Sequence, residues 1–340
     1  MEQQGENRAA LTVWDPVRSL CSVAAEQVRY SRGFLRCRPE KWFPGFAMQW
    51  LPLMHSLGIE LKFCEIKPLI QTPGQWAFGF AGTVDGEPLG MVLDEDSVEI
   101  LLEAVAPAAR SKIRRVVLEY LARRLLTSLA ISWSGPESST VQFDTELDVQ
   151  QIRASGAVKM VLSANGQQAM VWLMLGPVLV DKLDGLWRRQ LHATSRQSHE
   201  AVDVHLEFAH LTVPPALLAT YLKPGTTVDL EVPVSDAVLM VSASRPLMTG
   251  RLLRCGDYFA IESSNDPLPV FQWPIGTTRL AVELGQMHWE GTLVREMSQP
   301  GAMCDTGIQI GDRVSMTING EQVAEAVLRT YQGRLVVSVL

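Results

Sequence analysis

A pattern of alternating apolar and polar residues occurs twice in the C-terminal part of the chain and limits the folds that it can adopt. The run Val204-His205-Leu206-Glu207-Phe208 matches Leu280-Ala281-Val282-Glu283-Leu284 at an offset of 76 residues. Leu252-Leu253-Arg254 matches Val327-Leu328-Arg329 within one residue of the same offset. Alternation with a period of two predicts β-strands with one apolar face. The shared offset predicts two copies of one β module of about 70 residues.

A module of this size has too few residues for a deep core, and its short strands leave exposed edges. Such modules are stabilised by pairing with a second copy. We therefore predict that the two modules pair with each other, by exchange of strands or by packing of their apolar faces. The residues expected at the pairing surface are Leu206, Phe208, Val282 and Leu284.

The distribution of charge indicates where the modules begin. Residues 1–199 hold 21 basic and 21 acidic residues, whereas residues 200–340 hold 9 and 16 and carry the whole net charge of −7. The polar run 193–199 has the composition of a linker. The predicted class is α+β, with a mixed α/β N-terminal domain at 1–195 and β modules at 200–268 and 269–340.

Composition excludes several classes of protein. The net negative charge argues against a nucleic-acid partner. Five scattered cysteines without a CxxC pair support neither a disulfide framework nor a zinc site. The polar N-terminus is unlike a signal peptide, and the longest apolar run, residues 169–180, is too short to span a bilayer. We expect a cytoplasmic protein without membrane insertion and without a cofactor.

Local patterns in the N-terminal part predict individual elements. They are a frayed tail over residues 1–13, a helix capped by Asp96, a helix from Ser111 to Leu129, a hairpin of Val158–Leu162 and Ala169–Leu175 around Asn165-Gly166, and a helix from Asp181 to Leu191.

Three short motifs resemble parts of catalytic sites but lack their partners. Asp305-Thr306-Gly307 carries the tripeptide of aspartic proteases, which need two such carboxylates, and the first module has no counterpart. His205-Leu206-Glu207 and His288-Trp289-Glu290 match half of a zinc deaminase site, without the Pro-Cys-x-x-Cys half. We interpret the first as a turn, and His205 and Glu207 as exposed strand residues. The sequence therefore predicts a protein that is not an enzyme.

An ordered series of short motifs resembles the SpoA (surface presentation of antigens) domain of flagellar and type III secretion proteins. In the second copy the series comprises 310–314, 317–324 and 327–339, with its Gly-Asp turn, Asn-Gly turn and last apolar strand. In the first copy it comprises 213–228 and 250–253. Ala326 departs from the pattern, because the family usually has Gly there.

Tandem SpoA domains at the end of a chain of this length resemble the SctQ (YscQ/HrcQ) family, which is FliM/FliN-like. The resemblance implies a scaffold in the sorting platform (C-ring) of a type III secretion injectisome, cytoplasmic and peripheral at the inner-membrane base of the secretion apparatus. The implied partners are an SctK-like adaptor, an SctL-like ATPase regulator, indirectly an SctN-like ATPase, and chaperone–effector complexes. Residues 1–195 are then the family's divergent N-terminal domain.

Two further expectations follow from the resemblance. An SctL-like partner is expected to dock near Leu253, Val327 and Leu328. A shorter C-terminal product of the same gene, started at Met240, Met248 or a Val codon, is expected to associate with itself or with the full chain.

Two alternatives remain open at this point. One is a flagellar motor switch component, although residues 1–20 lack the acidic and apolar peptide of FliM-like chains. The other is a β-barrel ligand-binding or hydrolase domain.

Overall fold

The computed structural model describes residues 11–36, 54–55, 61–133, 140–143, 148–193, 200–271 and 274–340. Among these, the residues up to Arg32 and those after Ser195 form one compact unit, and Gly33–Thr194 form the other. The described residues form seven helices and two antiparallel sheets, so the predicted α+β class is confirmed. The boundaries of these units differ from the predicted N-terminal domain of residues 1–195, because residues 11–32 belong to the unit that contains the C-terminal repeats. Residues 194–199 of the predicted linker lie outside the described part.

The unit Gly33–Thr194 is built on a six-stranded antiparallel sheet with the order β2-β6-β7-β4-β3-β5. Its strands are β2 (Leu61–Leu69), β3 (Phe78–Val84), β4 (Glu87–Leu93), β5 (Val141–Gln142), β6 (Gly156–Ala164) and β7 (Gln167–Leu175). Single turns of 3-10 helix occur at Phe34–Arg36 and Val149–Gln151.

The Asn-Gly hairpin is confirmed. Strands β6 and β7 pair along their whole length, with Leu162 opposite Ala169. Asn165 and Gly166 have φ angles of 50° and 82°, which a two-residue hairpin turn with left-handed central residues requires. Strand β6 is buried or half-buried along its whole length, and β7 is buried or half-buried from Val171 to Leu175, which explains the nearly continuous apolar sequence of these stretches.

Three helices accompany this sheet, and their ends differ from the predicted ones. Helix α3 (Glu95–Val105) is capped by Asp94, not by Asp96, because the Asp94 carboxylate accepts a hydrogen bond from the Ser97 N–H at 2.8 Å. Helix α4 (Ser111–Trp133) continues past Leu129. Helix α5 (Pro177–Ala193) begins four residues before Asp181, because the fixed φ of proline suits the first helical position.

The second unit contains the two repeats, and each element of the first recurs 76 residues later with the same length. The first repeat comprises β8 (Val202–Val213), α6 (Pro215–Tyr221), β9 (Thr227–Pro233), β10 (Ala237–Ser242), β11 (Arg245–Cys255) and β12 (Tyr258–Ser263). The second comprises β13 (Thr278–Trp289), α7 (Gly291–Met297), β14 (Met303–Gln309), β15 (Arg313–Ile318), β16 (Glu321–Tyr331) and β17 (Arg334–Val339). The constant offset makes Leu252 the equivalent of Leu328, which corrects the alignment by one residue.

Residues of the N-terminal segment complete this unit. They form β1 (Thr12–Val13), α1 (Pro16–Ser19) and α2 (Ala25–Tyr30). Thr12 and Val13 pair with β16, so these two residues of the expected frayed tail form a strand; residues 1–10 lie outside the described part.

Candidate functional site

The candidate site is the interface between the two repeats, which pair through their first strands. Strands β8 and β13 run antiparallel along twelve residues each, from Thr278 opposite Val213 to Trp289 opposite Val202. The register slips at Phe208 and at Leu284, which are equivalent residues of the two copies. The predicted pairing of the modules is therefore part of the confirmed fold.

The repeats also exchange one strand each. The order of the eleven-stranded sheet is β14-β12-β11-β10-β8-β13-β15-β16-β17-β9, with β1 on β16. Strand β9 thus pairs with β17 of the other repeat, with Val228 opposite Val337. The equivalent strand β14 pairs with β12, with Cys304 opposite Ile261. Neither repeat closes its own sheet, so each is incomplete without the other.

The four residues predicted at the pairing surface lie in one core that both repeats share. They are Leu206, Phe208, Val282 and Leu284. All four are buried, and Leu206 and Val282 are in effect without solvent contact. Val282 lies opposite Ala209, and Leu206 lies opposite Gly285. The small residues opposite these two side chains allow them to pack without separating the strands.

Two buried glutamates face each other at the centre of this interface. Glu207 and Glu283 are directly opposite in the register, with 2% and 6% of their surface exposed. The Arg279 guanidinium donates to Glu207, and His210 Nδ1 lies 2.7 Å from the same carboxylate. Arg279 also lies over a neighbouring aromatic ring. Glu207 is therefore a paired core residue, which corrects the expectation that it is exposed.

The Glu283 carboxylate has two other hydrogen-bonding neighbours, the side chains of Thr317 and His205. The Thr317 hydroxyl donates to Glu283 Oε1 at 2.5 Å, and His205 Nδ1 lies 2.8 Å from Glu283 Oε2. Buried charges of this kind contribute little net stability, but an unpaired one is costly. The cluster therefore favours one register of the two repeats over shifted ones.

The motifs that resemble catalytic sites have structural partners. His205 and Glu207 point to different partners, and His288 Nδ1 lies 3.0 Å from an exposed carboxylate of Asp203. This hydrogen bond lowers the pKa of Asp203 below its usual range. Asp305 accepts from the Gly307 N–H at 2.8 Å within strand β14, where the register is irregular. This tripeptide therefore lies in a strand with a bulge, not in a turn between strands.

The three residues predicted to bind a partner differ in exposure. Leu328 is fully buried in the shared core, and Leu253 is buried against Val28 of α2 and Ala260. Val327 is half-buried and presents part of its side chain to solvent. As the chain stands, a partner can reach Val327 but not the two leucines.

Trp14, which no pattern in the sequence indicated, is among the largest fully buried side chains. Its ring lies 5.2 Å from the ring of Phe208 and 6.3 Å from that of Phe259, between centroids. The next residues contain the signal that could have revealed an ordered segment. Asp15 caps α1, and Pro16 follows at the first helical position.

Two general properties of the described residues bear on function. Within these ranges, no group of three or more His, Cys, Asp or Glu side chains could hold a metal ion. No helix in the part of the chain that the structure describes is long and apolar enough to span a bilayer.

No protein-family model matches the chain, and no curated protein is similar to it in sequence. Several solved structures are similar to it. The FliM middle domain from H. pylori has 14% identity and a TM-score of 0.33, covering 48% of this chain and 99% of that one. FliY from Thermotoga maritima has 12% identity and a TM-score of 0.32, covering 46% and 99%. A CheC-like superfamily protein from Shewanella sp. PV-4 has 12% identity and a TM-score of 0.28, covering 40% and 98%.

Proposed function

We propose that this protein is a non-enzymatic scaffold of the cytoplasmic sorting platform (C-ring) of a type III secretion injectisome. The observation that carries the proposal is the exchange of β9 and β14 between the repeats. Two repeats that each supply the strand beside the other's last strand form a single assembly unit. Such a unit is suited to joining other proteins, and its strand pairing is a general mode of protein association.

The chemistry of the interface supports a structural role. Glu207 and Glu283 are buried, Arg279 is half-buried, and all three are bonded within the interface. A general acid or base must instead reach a substrate. The polar groups at this site therefore hold strands in register.

The partners are proposed from the SctQ-like resemblance of the sequence. We assign to the chain an SctL-like ATPase regulator, and through it an SctN-like ATPase, together with an SctK-like adaptor and chaperone–effector complexes. Its place is the cytoplasmic side of the inner membrane, beneath the export apparatus. Val327 is the predicted partner residue that remains accessible.

The second candidate function is a flagellar motor switch component. It is favoured by the names of the similar solved structures, which include FliM middle domains and FliY. Both candidates are scaffolds of rotary or export machinery, and they differ in the process that fails when the protein is lost.

Deletion of the gene, followed by complementation, separates these functions. Under the leading proposal the deletion abolishes secretion of injectisome substrates and leaves swimming motility intact. Loss of motility with intact secretion assigns the protein to the flagellar switch. A deletion that affects neither process refutes both.

Complementing variants connect the phenotype to the interface. Leu206→Asp places a charge in the shared core and should fail to restore secretion, whereas Val323→Asp changes a residue that is 41% exposed and should restore it. Equal restoration by both variants would remove the pairing of the repeats from the proposal.

A further inference from the structure

The paired repeats leave two equivalent stretches of strand edge that their own strands do not cover. Strand β10 reaches only as far as Arg251 on β11, and β15 reaches only as far as Val327 on β16. Beyond these points lie residues 252–255 and 328–331, which are related by the same offset of 76. Within each stretch the first N–H group still bonds to its own repeat, Leu252 to the Asp236 carbonyl and Leu328 to the Asp312 carbonyl. An edge of this kind exposes backbone N–H and C=O groups that can pair with another segment.

The N-terminal segment, residues 11–32, covers both edges. On the second repeat, Thr12 lies opposite Thr330, and the Trp14 N–H donates to the Leu328 carbonyl at 3.3 Å. On the first repeat, the Arg254 N–H donates to the Cys21 carbonyl at 2.9 Å. The Arg254 carbonyl in turn accepts from the Val23 N–H at 2.8 Å. One segment thus bridges equivalent places on the two repeats.

Side chains anchor the segment between these two edges. Trp14 is buried beside Phe208 and Phe259, while its buried indole N–H has no hydrogen-bond partner among the residues that the structure describes. Helix α2 then buries Val28 against Leu253. The segment therefore binds as a peptide ligand does, with backbone pairing, one aromatic anchor and one short helix.

In sequence, the segment is separated from the repeats by the whole unit Gly33–Thr194. All the contacts that hold it are non-covalent, and a second copy of the chain carries the same segment and the same edges. Exchange between copies therefore replaces each contact by an identical one. The equilibrium between binding within one chain and binding between two chains depends on the protein concentration relative to the effective concentration of the chain's own segment.

We propose that the N-terminal segment is an exchangeable docking element: it binds its own repeats in the isolated chain and the repeats of a second copy in an assembly. Such a link joins copies head to tail. This inference goes beyond the proposed function, because the exchange of the segment can occur whether the assembly is a secretion platform or a flagellar switch.

Peptide binding tests the docking site. The acceptor is the chain lacking residues 1–24, checked for folding by circular dichroism, and the probe is a fluorescent peptide of residues 11–24 with Cys21→Ser. We expect saturable binding, at least about 100-fold weaker binding of a Trp14→Ala peptide, and an unchanged affinity for a Val17→Ala peptide. Val17 is the matched control because 51% of its surface is exposed.

Mixing two forms of the chain tests the exchange. Full-length protein and the truncated acceptor should form a 1:1 complex in light scattering as concentration rises, and a Trp14→Ala donor should not. If the truncated chain does not fold, the full-length Trp14→Ala chain serves as the acceptor. The proposal is overturned if the folded acceptor does not bind the peptide, if Trp14→Ala binds equally, or if the two chains stay separate.

Discussion

Glu207 and Glu283 face each other across the two first strands of the repeats and are equivalent residues of the two copies. Their positions are symmetric, but the groups that neutralise them are not. Glu207 is held by Arg279 of the second repeat, whereas the first repeat has Asp203 at the position equivalent to Arg279. A pair of two first repeats would therefore place Asp203 where Arg279 is needed. The interface thus favours pairs that contain the second repeat.

Removal of the arginine should destabilise the paired repeats. Arg279→Ala leaves the buried Glu207 carboxylate without its guanidinium, and we expect the free energy of unfolding of this unit to fall by about 3–5 kcal/mol. Guanidinium denaturation measures the change. The control is Arg251→Ala, which breaks an exposed ion pair with Asp236 and should cost about 0–1 kcal/mol. Equal losses in the two variants would contradict the role of the central cluster.

A charge in the shared core should disrupt the pairing itself. Leu206→Asp and Val282→Asp each place a carboxylate among apolar side chains of both repeats, which costs several kcal/mol. We expect the loss of a cooperative thermal transition for this unit. Val323→Asp, at an exposed position of β16, should melt like the unaltered chain. A cooperatively melting Leu206→Asp/Val282→Asp double variant would rule out the pairing.

The equivalent residues Gly250 and Ala326 should respond differently to exchange. A Cβ atom at Gly250 would lie 2.7 Å from the Glu262 carbonyl oxygen and 2.9 Å from Met240 Cε. Gly250→Ala should therefore cost about 1–3 kcal/mol. Ala326→Gly removes a buried methyl group and should cost about 1 kcal/mol. Chemical denaturation of both variants measures which one loses more stability. A larger loss of stability for Ala326→Gly would be inconsistent with the close contact predicted at Gly250.

A product that starts at Met248 should be a dimer. It keeps the second repeat but lacks β8 and β9, which pair with β13 and β17 in the full chain. In a pair of second repeats, each Glu283 can face Arg279 of the other copy. We expect light scattering of residues 248–340 to give the mass of a dimer. Arg279→Glu should abolish it, while Arg313→Glu, at an exposed position, should not.

A folded monomer of this product would count against the exchange of strands between copies. Whether cells make the product is a separate question. Immunoblotting of a C-terminally tagged gene, with Met240 and Met248 replaced singly, identifies the start.

The reactivity of one thiol should report on this unit. Burial raises the pKa of the Cys304 thiol to about 12. A chain that retains only Cys304 should resist thiol reagents at pH 8, whereas one that retains only the exposed Cys64 should react. Rapid labelling of Cys304 in the folded chain would contradict its burial.

The same pKa predicts an alkaline limit to stability. The raised value means that the thiol of the unfolded chain ionises first, above about pH 8.5. Its contribution to stability is therefore complete below that pH and is lost as pH rises towards the folded value. Cys304→Ala should show a smaller loss of stability between neutral and alkaline pH.

Local structure and the repeat could be predicted from the amino-acid sequence alone. Alternation along Val204–Phe208 specifies a strand with an apolar face, because successive side chains point to opposite sides. Asn165-Gly166 specifies a hairpin turn, because few residues adopt its positive φ angles. The recurrence of equivalent runs after 76 residues was sufficient to predict two modules that pair.

Three features could not be predicted without the folded chain: the strands that the repeats exchange, the burial of Glu207, and the place of Trp14 in the C-terminal unit. Each of these depends on contacts between residues far apart in sequence: Glu207 with Arg279, β9 with β17, and Trp14 with Phe208 and Phe259. A polar side chain such as Glu207 can be buried only where another group bonds to it. A short N-terminal strand forms only where a strand edge is present for it to pair with. Because neither partner is adjacent in the chain, no local pattern records the pairing.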